Sequence, residues 1–188
     1  MYSRIIVNML KGEKVARYRR KLLAGTGGKI LEIGVGGGAN LDYYPRGVEK
    51  IWAVDKSNFL QKGGVEVEFV EGGAEKLPFG DGEFDCVVSS FTLCSVSDLR
   101  KVLGEVRRVL KPGGRFVFLE HVAARDEKGR RSQRRWRKVF LALGDGCHVD
   151  RDILGEIKEV FSEVRVREFR MEVKPMAVSW WCLGEATV

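Results

Sequence analysis

A carboxylate, Glu32, stands two residues ahead of glycines at positions 34, 36 and 38, and a second carboxylate, Asp55, closes the next apolar run, KIWAVD. Together these residues can hold a nucleoside. Gly34, Gly36 and Gly38 permit backbone angles and a close approach that a Cβ would forbid. A helix expected to begin at Gly38-Ala39-Asn40 would then aim its free N–H groups at a ligand lying on the turn. Asp55, at the end of a strand, is placed to accept hydrogen bonds from two ribose hydroxyls.

Gly34-x-Gly36-x-x-Ala39 also satisfies a relaxed dinucleotide fingerprint, so the glycines alone leave NAD open. Three features favour S-adenosylmethionine (SAM). Glu32 can help hold the cationic amino-acid end of that cofactor. The stretch GGAEKLPF, Gly72 to Phe79, follows a third strand where an adenine-side loop is expected. Finally, 188 residues leave little room for a separate domain to carry a nicotinamide substrate.

Methyl transfer from a sulfonium asks little of a protein. It must set a nucleophile in line with the methyl carbon, about 3 to 3.5 Å away, and exclude water. A thiol, phenol or enol acceptor gains further from a base. Ser89-Ser90, Cys94 and Glu120-His121 fall just after apolar runs, where such groups collect in a doubly wound sheet. His121 is the candidate base or polar positioner, because an ordinary imidazole pKa near 6.5 suits proton removal at neutral pH. Cys94 reads as a small buried residue. Asp145, Cys147 and His148 lack zinc-ligand spacing. No metal site is expected; Cys147 reads as loop packing and His148 as a substrate-pocket residue.

The elements that must position these groups alternate along the chain. An amphipathic helix over Arg4–Leu23 precedes strands at Lys29–Ile33, Ile51–Val54, Glu66–Val70, Phe84–Ser89 and Arg115–Glu120. Helices are expected from Ala39, from Ser57, and from Ser97 or Asp98 to Leu110. Beyond strand five come helices at Gln133–Leu143 and Asp150–Val160, then strands at Glu163–Arg170 and Met176–Leu183. This order predicts an α/β, Rossmann-like, doubly wound sheet of seven mainly parallel strands with helices on both faces. Residues 1–188 read as one domain, with 1–24 and 125–160 as a helical lid over the substrate mouth. Trp180 and Trp181 are expected to face opposite ways, and the Tyr43-Tyr44 pair either packs the first helix or closes over the methionine end.

The net charge of +7 is unevenly placed. Residues 1–24 hold seven Lys/Arg against Glu13, and residues 125–138 hold eight against Asp126 and Glu127; the remaining 150 residues sum to −5. Such concentration points to an anionic partner or, blandly, to solvated helices of a heat-adapted protein. The four cysteines form no CxxC pair, and the N-terminus does not read as a signal peptide. A cytoplasmic protein, peripheral to an anionic membrane surface, is the expectation.

Leu77-Pro78-Phe79 and the Lys111–Gly114 KPGG turn resemble motifs of the class I SAM-dependent methyltransferases, type-11 subgroup. Within it, Gly38-Ala39-Asn40 with Tyr44-Pro45, Leu93–Val96, Glu120–Ala123 and Asp145–Cys147 with Arg151 look like signatures of the thiol S-methyltransferase-like proteins. The resemblance spans about Arg17 to Leu183. It implies SAM as cofactor, held by Glu32, Gly34, Gly36, Gly38 and Asn40 at the methionine end and Asp55 with Lys56 at the ribose. Ala74 and Glu75 would border adenine and Ser90 the sulfonium, with His121 as the catalytic residue. Two departures stand out: Gly73 replaces an aspartate usual in the adenine loop, and the apolar anchor of the eukaryotic relatives is not seen. The expected acceptor is a small or membrane-partitioned thiol, quinone or lipid-like molecule. A nucleic-acid methyltransferase and a non-catalytic SAM-binding protein are the rivals, the former weakened because Ser89-Ser90-Phe91-Thr92 is no Asn/Asp-Pro-Pro-aromatic tetrad.

Overall fold

The computed structural model describes residues 12–61 and 63–188. In chain order these form α1 (Glu13–Leu23), β1 (Ile30–Ile33), β2 (Lys50–Asp55), β3 (Glu66–Glu71), β4 (Phe84–Ser90), α2 (Leu99–Val109) and β5 (Leu110–His121). There follow α3 (Glu127–Leu143), α4 (Ile153–Val160), β6 (Glu163–Arg170) and β7 (Trp180–Thr187). The strands make one seven-stranded sheet in the order β3-β2-β1-β4-β5-β7-β6. Strands β1 to β5 run parallel, and β7 lies antiparallel between β5 and β6. The order reverses between β1 and β4, which opens a crevice beyond their carboxyl ends.

β1 reads ILEI and is buried at every position, as a parallel strand covered on both faces must be. Its alternating side chains divide between two cores. Ile30 packs with Val15, Leu22 and Leu23 of α1, and Leu31 and Ile33 pack in the core that holds α2 and α4. On α2, Val102, Leu103, Val106 and Val109 have no exposed surface and form one helical stripe. The Asp98 side chain caps that helix by accepting from the Lys101 amide at 3.1 Å. Phe84, Phe116 and Phe118 are fully buried, each contributing roughly 1.5–3 kcal/mol by removal from water.

Four expectations need correction. No helix starts at Ala39: residues 36–40 are successive turns leading into a 3-10 turn at Leu41–Tyr43. Tyr44 precedes Pro45 and is extended, with φ −63° and ψ 143°, so the chain has no room for a longer helix. Residues 57–61 form a bend and coil rather than a helix. The last strand begins at Trp180, because Met176–Val178 forms a second 3-10 turn. The basic helix α3 begins earlier than expected, capped by Asp126, whose side chain accepts from the Gly129 amide. Residues 4–11 of the expected first helix lie outside the described residues, and the helix described begins at Glu13. Among the described residues no helix is long and apolar enough to cross a membrane.

Candidate active site

The segments that leave the carboxyl ends of β1 to β5 enclose a cavity of ≈ 1080 Å³, just above the roughly 300–1,000 Å³ usual for ligand sites. Glu32, Gly34, Gly36, Gly38, Asp55, Lys56, Ala74, Glu75, Ser90 and His121 all line it. Asn40 does not. It is fully buried and stands behind Glu32.

Glu32 is held from both sides. Its Oε1 accepts from Asn40 Nδ2 at 2.8 Å and its Oε2 from the Tyr44 hydroxyl at 2.6 Å. Burial pushes the Glu32 carboxyl above the usual carboxylate range, against the bonds from Tyr44 and Asn40 and the charge of Arg19. The Tyr44 hydroxyl is pushed well above its ordinary value by burial and by the adjoining Glu32 charge. Arg19 joins this network from α1, donating to Asn40 Oδ1 at 2.5 Å and Ser90 Oγ at 3.0 Å. Sequence reasoning counted Arg19 with the basic surface, yet it is 4% exposed and lines the cavity. Its signal was available: Arg19 falls between Val15 and Leu22 on the apolar side of an amphipathic helix.

Gly34 has φ +68°, and a Cβ there would run into Thr92 of the loop after β4. Its glycine is therefore required twice, by backbone angle and by space. The Gly36 amide donates to Asp55 Oδ2 at 2.9 Å, while among the described residues Asp55 Oδ1 receives only the Ser57 amide at 3.4 Å. One oxygen thus braces the glycine turn and the other keeps lone pairs toward the cavity. Glu75 also works locally: its Oε1 accepts from the Ser97 amide and hydroxyl at 3.0 and 2.6 Å. Burial pushes Glu75 up, but the Ser97 bonds outweigh it and leave the carboxyl below its ordinary value.

Leu77-Pro78-Phe79 is clamped by α2. The Leu77 amide donates to Glu105 at 2.8 Å, and Arg108 donates to the Leu77 and Phe79 carbonyls at 3.1 and 2.8 Å. This motif holds the floor of the loop carrying Ala74 and Glu75.

The far end of the cavity is assembled from three separate segments. Glu120 is fully buried, and its Oε1 accepts from Ser89 Oγ at 2.7 Å and from the Thr92 and Leu93 amides at 3.1 and 3.2 Å. It thereby ties down the loop bearing Cys94, which leaves β4 through Phe91 in a left-handed conformation, φ 56°. A second left-handed turn at Asp145-Gly146 delivers Cys147, and the next amide, of His148, donates to the Cys94 carbonyl at 2.8 Å. Arg151 donates to the Leu93 and Val96 carbonyls at 2.8 and 2.7 Å. His121 Nε2 then lies 2.9 Å from Cys147 Sγ. Burial works against charge on His121, but the Cys94 thiol and the Glu120 carboxylate outweigh it and raise its pKa. The adjoining Cys147 thiol, with burial, pushes the Cys94 thiol well above its ordinary value.

Cys147 is therefore a site residue rather than loop packing alone, and His148 serves through its backbone and does not line the cavity. Trp181 is 2% exposed and faces the cavity while Trp180 is partly exposed, the alternation expected of a strand. Of the stripe on α3, Phe140 reaches the cavity, whereas Trp136, Val139 and Leu143 are exposed at 38%, 42% and 68%.

A family model described as a methyltransferase domain matches residues 31–118. Thiol S-methyltransferase TMT1B of Mus musculus is 38% identical over 181 residues, covering 87% of this chain and 71% of that protein. The chain belongs to the class I SAM-dependent methyltransferases, close to the thiol S-methyltransferase-like proteins. Thiol S-methyltransferase TMT1A of Homo sapiens matches this methyltransferase at 32% identity over 193 residues, 90% of this chain and 78% of that one. The solved structure of YcgJ from Bacillus subtilis shares its fold, with a TM-score of 0.65 at 22% identity over 92% of this chain and 96% of the other. This methyltransferase is thus an enzyme whose cofactor is SAM. Its residues fit that group: each oxygen of Glu32 has a lone pair left beyond its one recorded bond, and Glu32 and Asp55 both line the cavity beside the glycine turn.

Proposed function

We propose that this methyltransferase acts on the sulfur of a small, membrane-partitioned thiol. The observation that carries the reading is the far end of the cavity, where His121 and two cysteines meet among Phe140, Val178 and Trp181. An apolar wall with one imidazole and soft sulfur atoms suits a compact thiol. The names of the TMT1A and TMT1B relatives support the same acceptor. SAM, when bound, supplies an electrophilic methyl on a sulfonium, a leaving group that needs no acid. Glu32 with Gly34, Gly36 and Gly38 holds the methionine end, with Asn40 and Tyr44 fixing the carboxylate. Asp55 and Lys56 take the ribose, Ala74 and Glu75 the adenine, and Ser90 the sulfonium region. His121 is the residue that serves the acceptor.

α1 contributes Ala16 and Arg19 to the cavity wall, and the end of α3 contributes Phe140 and Gly144. These helices form the lid. The outer side of α3 combines exposed Trp136, Val139 and Leu143 with Arg130, Arg131, Arg135 and Lys138, which have no ion pair among the described residues. That pairing of apolar and basic groups is the character of a helix lying in a membrane interface. Each basic side chain contributes about 1 kcal/mol near an anionic surface. The reading therefore places the enzyme in the cytoplasm, against such a membrane.

A screen of thiols, quinones, phospholipids and tRNA with radiolabelled SAM tests the acceptor; label on a thiol is expected, and label on tRNA or quinone alone overturns it. Sedimentation with anionic liposomes tests the surface. Binding should fall as salt rises, since the Debye length shrinks from about 10 Å at 0.1 M to 3 Å at 1 M. Replacing Arg130, Arg131, Arg134 and Arg135 by Gln should abolish it with SAM binding preserved, and equal behaviour with neutral vesicles would remove the membrane from the reading.

A further inference from the structure

We infer that Cys94, His121 and Cys147 form a three-ligand site for a thiophilic divalent cation of the zinc type, its fourth position facing the cavity. The two Sγ atoms and the imidazole nitrogen all lie within 4.8 Å of one another. Zinc binds thiolate at about 2.3 Å and imidazole at about 2.0–2.1 Å. A tetrahedral ion with those bonds spaces its ligand atoms roughly 3.4–3.8 Å apart. The cluster reaches that spacing by shifts of about 1 Å or less, with the 2.9 Å His121–Cys147 contact opening slightly.

Three further observations point to a cation. Two thiolates and a neutral imidazole balance a 2+ charge, which a buried site requires. All three residues are buried, and His121 Nε2, the ring nitrogen beside Cys147 Sγ, is the one turned toward the cluster. The frame is also built in advance: Glu120 anchors the Cys94 loop, the His148 amide ties the Cys147 turn to the Cys94 carbonyl, and β7 flanks His121 in the sheet. Two cysteines and one histidine leave a position open, the composition of a reactive rather than a closed structural zinc site. All three line the same cavity as Glu32 and Asp55.

The open position takes the acceptor sulfur, a step that rests on the thiol reading above. On binding there the thiol releases its proton to the buffer, because the cation lowers its pKa as it does for bound water. The thiolate lone pair then forms the new S–C bond as the methyl–sulfonium bond breaks, with that electron pair left on the departing thioether. The products are the methyl thioether and S-adenosylhomocysteine. His121 accordingly positions the cation and does not itself receive the proton.

Cobalt(II) is the probe, added to the full chain under a phosphine reductant that offers no thiol. One equivalent should produce thiolate-to-cobalt charge-transfer absorption with the intense visible bands of a tetrahedral site. Cys94→Ser, Cys147→Ser and His121→Ala should each lose those bands while calorimetry shows SAM binding retained. Zinc X-ray absorption on the wild type, which needs no variant, should show two sulfurs near 2.3 Å. A small thiol should shift the cobalt bands. No cobalt uptake by the folded wild type, or bands unchanged in all three variants, overturns the site, and bands indifferent to added thiol overturn its open position. Chelator-treated enzyme that methylates thiols at the full rate overturns the cation while leaving the thiol reading intact. Cobalt bands without thiol methylation would sink the thiol reading and leave the cation site standing.

Discussion

The two ends of the cavity are built on opposite plans. At the cofactor end, Glu32, Asn40, Tyr44, Arg19 and Ser90 satisfy one another through hydrogen bonds of 2.5 to 3.1 Å. At the far end, where the acceptor is proposed to bind, Glu120 Oε2 and His121 Nδ1 are buried without partners among the described residues, and two thiols crowd one imidazole. Side chains braced by one another in this way present their remaining lone pairs to a ligand in one pose. Buried polar atoms left unsatisfied cost free energy, about 1–3 kcal/mol each, so this end is the less stable of the two as it stands. Binding and chemistry should therefore separate cleanly between the two ends.

The largest effect is expected at the acceptor end. His121→Ala removes a ligand of the cation proposed to ionise the acceptor thiol, so turnover should fall about 10²- to 10⁴-fold, the range lost when assisted proton removal is lost, and the calorimetric affinity for SAM should stay nearly unchanged. A variant that loses SAM binding as well would show that the two ends are not independent. Next comes the reciprocal test. Asp55→Ala removes the carboxylate proposed to hold the ribose and should cost roughly 1.5–3 kcal/mol of SAM affinity, about ten- to a hundredfold in Kd. Cobalt spectra at the other end should not change. Unaltered SAM affinity in folded Asp55→Ala would place the ribose elsewhere.

The smallest effect sharpens the comparison by touching neither ligand directly. Arg108 holds the Glu105 carboxyl below its ordinary value, with the Leu77 amide adding to it against burial. For a depressed carboxylate the stabilisation is fully present above the unfolded pKa, about 4.3, and is lost as pH falls through the lower folded value. Glu105→Gln should therefore lower stability by about 1–2 kcal/mol at neutral pH, discounted for partial exposure. The gap between variant and wild type should close in acid, as followed by urea unfolding across pH. A gap that is constant with pH would show that the clamp on Leu77-Pro78-Phe79 is not electrostatic.

The cofactor half was legible because its information is local. Glu32, the glycines and Asp55 sit at the ends of adjacent strands, where a short, nearly continuous apolar run bounded by a glycine turn or a carboxylate marks both the element and its exit. The absent helix at Ala39 shows the limit of that logic. Propensity favoured a helix start, and Pro45, too few residues downstream, overruled it. Arg19 shows a second limit, since a count of charges does not say which of them turns inward.

The sequence by itself determined the sheet, its crevice and the cofactor, through patterns that span a few residues each. Only the tertiary structure decided the acceptor end. Cys94, His121 and Cys147 show no ligand spacing in the chain; they meet because β5 runs beside β4 and a left-handed turn after α3 returns to the loop between β4 and α2. Contacts between segments so far apart depend on packing the sheet and closing its loops, and no local pattern of residue types encodes them.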